Sequence, residues 1–244
     1  MIDILTALAR GLRNLQEGGI WLRLVGPAVA ALLVWGGLAF FALDRIVAEL
    51  LQLPPLSWVT GWGALWLAKV LAWVGGWMAI FALAYLTAML LAAIFIVPLL
   101  VDEIGARQYP DVARMGEDSL LASTTNSVLA ALGFLIGWLG TMPLWLIPGA
   151  ALVLPIYWLA WLNRRTFAYD ALAVHATKGE WKTLFERHRG PLLMLGVILG
   201  LLGHVPFIGL LVPSFAALTY VHYGLEALRR ERDGAVVVIE GEVL

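Results

Sequence analysis

Several long stretches of this chain carry no charged side chain, among them Leu24–Leu43, Val70–Val101 and Leu120–Asn163. A helix needs about 20 apolar residues to cross a hydrocarbon core about 30 Å thick. Each run meets or exceeds that length, so each reads as membrane-embedded helix. In lipid, backbone polar groups must be satisfied within the chain, which restricts what such runs can form. Only 14% of the 244 residues are charged and 61% are hydrophobic. A soluble domain carries about 25% charged residues. The chain is therefore expected to be an all-α integral membrane protein.

Around these runs the sequence divides into one membrane domain, 1–233, and a flexible tail, 234–244. Ile2, Leu5, Leu8, Leu12 and Leu15 recur three or four apart, with Arg10, Arg13, Asn14 and Glu17 at other positions. This predicts an amphipathic helix over 1–18, lying in the membrane interface or packed on the protein's own surface. Two long spanning helices are expected over 20–50 and 57–100, separated by Pro54–Pro55, which cannot continue a helix. Trp58, Trp62, Trp66, Trp73 and Trp77 share one face of the second and suit an interfacial belt.

The remaining blocks, 120–165 and 191–226, contain a repeat. LGFLIGWLGTMPL (132–144) and LGVILGLLGHVPF (195–207) are identical at six of thirteen positions. Each copy has glycines at i, i+4 and i+7 and a proline three residues later. Small residues at this spacing admit a close neighbour, and the proline breaks the helix. Two segments broken at matching places suggest a pair of re-entrant hairpins with tips at Thr141, Pro143, His204 and Pro206. Full-length helical pairs with proline kinks remain the alternative. With either, fourteen of the sixteen Lys and Arg residues fall on one side and only Arg45 and Lys69 on the other. By the positive-inside rule that side, which holds both termini, is cytoplasmic.

Chemistry-bearing motifs are sparse. The chain has no cysteine, and HExxH, GxxxxGK[ST] and GxSxG do not occur, so neither an enzyme nor a bound cofactor or metal is expected. A net charge of −1 gives no sign of nucleic-acid binding. Gly18–Gly19 precede the first spanning helix with Arg23 one turn in, a pattern for either an anion site or a topology anchor. Arg164 and Arg165 allow the same two readings.

GLRNLQEGGIWLRLVGP, VPLLVDEI, IPGAALVLPIYWLAWLNRRTFAYD and GHVPFIGLLVPSFAALTYVHY occur in this order. Together they resemble the CysZ-type sulfate permeases of the etoposide-induced-protein superfamily. The resemblance implies two long helices and hemi-penetrating hairpins in a homo-oligomer. It also implies a bacterial inner-membrane permease or channel that feeds sulfate, or a related oxyanion, to cysteine synthesis. The anion-binding residues it implies are Gly19, Ile20 and Arg23; Arg13, Arg164 and Arg165 are expected from their own positions to neutralise the anion at the cytoplasmic face. Where the family has adjacent arginines, this chain has Trp21–Leu22, with Arg23 next. The rival expectation is a membrane scaffold or membrane-shaping protein that transports nothing.

Overall fold

A computed structural model describes residues 2–117, 119–205 and 208–241. Its described residues form an all-helical array: α1 (Ile2–Asn14), α2 (Gly18–Gln52), α3 (Leu56–Gly61), α4 (Leu65–Leu91), α5 (Val97–Gln108), α6 (Leu120–Thr141), α7 (Ala150–Ala173), α8 (Lys178–Arg187), α9 (Arg189–Gly203) and α10 (Val212–Gly241). Four helical stretches are long and apolar enough to cross a bilayer: Arg23–Gln52, Leu65–Gln108, Leu120–Trp145 and Ile208–Asp233. The protein is a multi-pass membrane protein. Pro206 lies outside the described residues, as do the side chains of the expected 234–244 tail.

Two breaks differ from the sequence expectation. The helix expected over 57–100 is interrupted early, where Gly63 adopts φ +82°, a conformation open to glycine at little cost. At the other end the helix does not stop at 100. A wide turn over Ala92–Ile96, with the Val97 N–H bonded to Ala92 O, absorbs the register change. Pro98 then sits in the first turn of α5, where its missing N–H costs nothing. Helix thus runs on to Gln108.

The amphipathic helix presents two faces rather than one. Ile4, Ala7, Gly11 and Asn14 are buried, and Gly11 approaches Phe215 and Thr219 of α10. Leu5 and Leu12 of the expected apolar stripe stay exposed. Small residues therefore help hold α1 to the protein, with Leu8 and Leu15 partly buried against the core, while Leu5 and Leu12 remain available to lipid.

Alanines set the level at which the second hairpin turns. Leu210, just after the α9–α10 turn, packs among Ala28 and Ala31 of α2 and Ala84 and Ala88 of α4. Farther along, Ala39, Leu43 and Val47 meet Ala72 and Ile80 in a cluster drawn from α2 and α4, edged by Leu56 of α3. From Ala31 to Gln52 the helix α2 rises about 31 Å at 1.5 Å per residue. This arm carries exposed Phe40, Phe41, Trp66, Val74 and Met78, a surface suited to hydrocarbon.

Candidate anion site

The predicted anion residues do not converge. Gly19 and Ile20 fall in the first turn of α2, whose N-cap residue Glu17 makes no side-chain capping bond. Their side chains lie outside the described residues. Arg23 donates from Nη1 to Glu103 of α5 at 2.7 Å. The other Glu103 oxygen meets Arg107 at 3.2 Å, and Arg107 meets Glu17 at 3.5 Å. Arg23 is thus neutralised within a four-member chain of alternating charge. Arg13 is exposed. Arg164, on α7, stacks over the Phe185 ring of α8 at 4.5 Å. The Arg165 carbonyl accepts from Asn126 Nδ2 at 3.3 Å, tying α7 to α6. Among the described residues no hydrogen bond, ion pair or ring contact joins Arg13 or Arg23 to Arg164 or Arg165.

The expected tips hold themselves together. Thr141 donates to Gly137 O at 2.9 Å or Trp138 O at 3.1 Å and accepts from Trp158 Nε1 at 3.1 Å, closing the first hairpin. Pro143 lies in the tight helical turn Met142–Leu146 that follows. His204 caps α9, with Nδ1 2.7 Å from Gly200 O.

A denser polar cluster sits where α1, the end of α5 and α10 meet. Arg10 donates from Nη1 to Glu226 and to the Tyr109 hydroxyl, both at 2.7 Å. Glu226 also accepts from Arg229 at 2.6 Å and Arg230 at 3.0 Å. Tyr109 is buried, and its hydroxyl lies 3.3 Å from His222 Nδ1. The Glu226 carboxylate holds the Arg10 guanidinium firmly protonated. Burial pushes the Tyr109 hydroxyl above its usual range, against the pull of Arg10. Sequence reading missed this cluster because its members are scattered: Arg10 and Glu226 stand 216 positions apart. The available signal was His222 and Glu226 at i, i+4, near the end of an otherwise apolar run.

A second buried group ties the hairpin arms together. Asp170 of α7 accepts from Ser123 at 2.7 Å and Ser127 at 3.3 Å, both on α6. Beyond it, Arg232 of α10 donates to Glu180 at 2.8 Å and to the Ala113 and His175 carbonyls, each at 2.8 Å. One guanidinium thereby pins α8 and two loops to α10.

These features define a polytopic helical membrane protein. A family model described as Sulfate transporter CysZ/Etoposide-induced protein 2.4 matches residues 7–213, from within α1 to the start of α10. The chain belongs to that family. No curated protein and no solved structure matches it.

Proposed function

We propose that the chain is a permease or channel for sulfate or a related oxyanion. It would act in the bacterial inner membrane, with both termini cytoplasmic, and feed sulfur assimilation without catalysing a reaction. The family match over 7–213 carries this reading. The charge asymmetry of fourteen against two supports the orientation. Re-entrant hairpins are supported by the second turn, which meets α2 and α4 at alanines far from their distant ends. They are also supported by α9, whose 15 residues rise only about 22 Å. A homo-oligomer would cover part of the apolar arm of α2 and α4.

In this reading Gly19 and Ile20 offer free N–H groups at the start of α2, and Arg23 supplies the nearby charge. An arriving anion competes with Glu103 for Arg23. Arg13, Arg164 and Arg165 lower the cost of a dianion near the cytoplasmic face. Thr141, Pro143 and His204 shape the hairpin tips beside its route.

Labelled sulfate flux into liposomes holding the purified protein tests this. Arg23→Ala is expected to lower flux by at least about tenfold, the equivalent of one charge-assisted hydrogen bond. Flux equal to that of empty liposomes in both directions would sink the permease reading and favour the scaffold. Single cysteines at Thr141 and His204 report hairpin depth. Free labelling by impermeant thiol reagents from the far side, independent of substrate, would indicate full spans.

A further inference from the structure

Asp170 is a carboxyl group taken out of water without a counter-charge. It is 5% exposed and lies between the arms α6 and α7 of the first hairpin. Its oxygens have different partners: Ser123 Oγ is 2.7 Å from Oδ1, and Ser127 Oγ is 3.3 Å from Oδ2. No residue of α6 is titratable. On α7 itself, Arg164 stacks on Phe185. On the neighbouring α5, α8 and α10, Asp102 pairs with Arg114, Glu103 with Arg23, Glu180 with Arg232 and Glu226 with Arg10. The rings of His175 and His222 face Gly105 and Tyr109. Among the described residues no Lys, Arg or His side chain pairs with Asp170.

Two hydroxyls do not replace a cation. A buried carboxylate is unfavourable unless a positive charge or a full set of donors meets it, and a proton removes that cost. The geometry takes the neutral acid without rearrangement. With the proton on Oδ2, the acid donates to Ser127 Oγ while Ser123 still donates to Oδ1. Both hydrogen bonds are kept and the charge is gone. A metal ion would have to part Ser123 from Oδ1, whereas a proton needs no space. Burial, opposed by the two serines, accordingly lifts Asp170 from the usual carboxylate range to about 7.

We propose that Asp170 is a proton-binding site that sets how firmly α6 is held to α7. In the protonated state the acid and its two serines fasten the hairpin at its base, as Thr141 and Trp158 do at its tip. On release the O–H bond at Oδ2 breaks, the proton passes to water, and the electron pair stays on the carboxylate. That carboxylate draws water between the arms and loosens them. Asn163 and Thr166 share the buried face of α7 that carries Asp170, and Asn163 Nδ2 and Thr166 Oγ1 have no partner. They are the groups that such water would meet. The site is separate from the Arg23–Glu103 pair and does not depend on transport.

The test is infrared difference spectroscopy and thermal melting of the full chain in phosphatidylcholine nanodiscs, between about pH 5 and pH 8. The expected spectrum has a protonated-carboxyl band that fades as the pH rises through neutrality and is missing from Asp170→Asn. The native state holds this proton more tightly than the unfolded chain, so stability falls as the pH rises through this range. The melting temperature should therefore drop by about 5 °C relative to Asp170→Asn, which keeps the neutral hydrogen bonds at every pH. Ser123→Ala removes a donor to the charged form and should raise the midpoint of the band by at least about half a pH unit. A band absent at every pH, or constant across the range, overturns the proposal. So does a melting difference that does not vary with pH, or one abolished at the alkaline end by exchanging K⁺ for Na⁺, which would make a metal ion the occupant. If Asp170→Asn does not fold, a midpoint left unmoved by Ser123→Ala overturns it instead. Neither readout requires sulfate, so failure of sulfate flux with the titration intact would sink only the permease reading.

Discussion

In the first hairpin, a methyl group at Gly133 or Gly137 would run into the rings of Trp161 and Trp158. In the second, a methyl at Gly196 would lie 2.6 Å from Ala160 O, and one at Gly200 would lie 3.5 Å from Ile156 O. All four neighbours belong to α7. The two glycine stripes, copies of one sequence, grip opposite sides of a single helix. One stripe makes pockets for indole rings; the other lets two backbones approach. Their surroundings differ in the same sense. In the most apolar window of Leu120–Trp145 only 17% is buried, against 83% in that of Ile208–Asp233. The first hairpin is therefore a lipid-facing flank, and the second runs through the centre. A repeated motif fixes the shape of a surface but not what fills it, because glycine removes bulk without selecting a partner.

The comparison is most exposed at Gly196. A methyl there meets main chain, which cannot rotate away, so Gly196→Ala should cost about 1–3 kcal/mol. Lower thermal stability and less monodisperse protein on size exclusion would register it. Gly137→Ala should cost about 1 kcal/mol, because the Trp158 ring can swing aside at the expense of its bond to Thr141 Oγ1. Adding Trp158→Leu should return most of the melting temperature. If Gly137→Ala is as damaging as Gly196→Ala and Trp158→Leu brings no relief, the distinction between yielding ring and unyielding backbone is wrong.

A smaller effect tests how the central hairpin is held at its polar end. The Arg232 guanidinium, more than the Thr177 N–H, holds the Glu180 carboxyl at about 2, below its usual 4.5, against the opposing effect of burial. A depressed carboxylate contributes stability that is complete above pH 4.5 and is lost as the pH falls toward 2. After allowance for solvent screening the contribution is about 1 kcal/mol. Melting curves between pH 3 and pH 6 should show it, and Glu180→Gln should flatten that part of the profile. Gly140→Ala completes the series. Its methyl meets nothing within 4 Å, so no loss of stability is expected.

Much of the fold was legible because its cause is local. Leu120–Asn163 has no charge, so its helices belong in lipid, whatever surrounds them. Pro143 and Gly149 mark a turn that the chain makes, with Gly149 at φ +84°. Charge pairing was not legible. Arg23 reads as a free cation one turn into a helix, yet Glu103, 80 positions on, takes it. Ala7 and Gly11 read as gaps in a leucine stripe, yet both are buried and Gly11 meets α10, because a small face fits closer than a large one.

Sequence alone determined that the chain is a helical membrane protein, where its apolar helices lie, and where glycine and proline thin or break them. Hydrocarbon imposes these features segment by segment, before any two segments meet. Tertiary structure decided that both glycine stripes meet α7, that Arg23 is paired, and that Arg10, Tyr109, His222 and Glu226 gather in one polar cluster. Those outcomes depend on which helices are neighbours. Packing among similar apolar surfaces settles that through shape, and composition does not record shape.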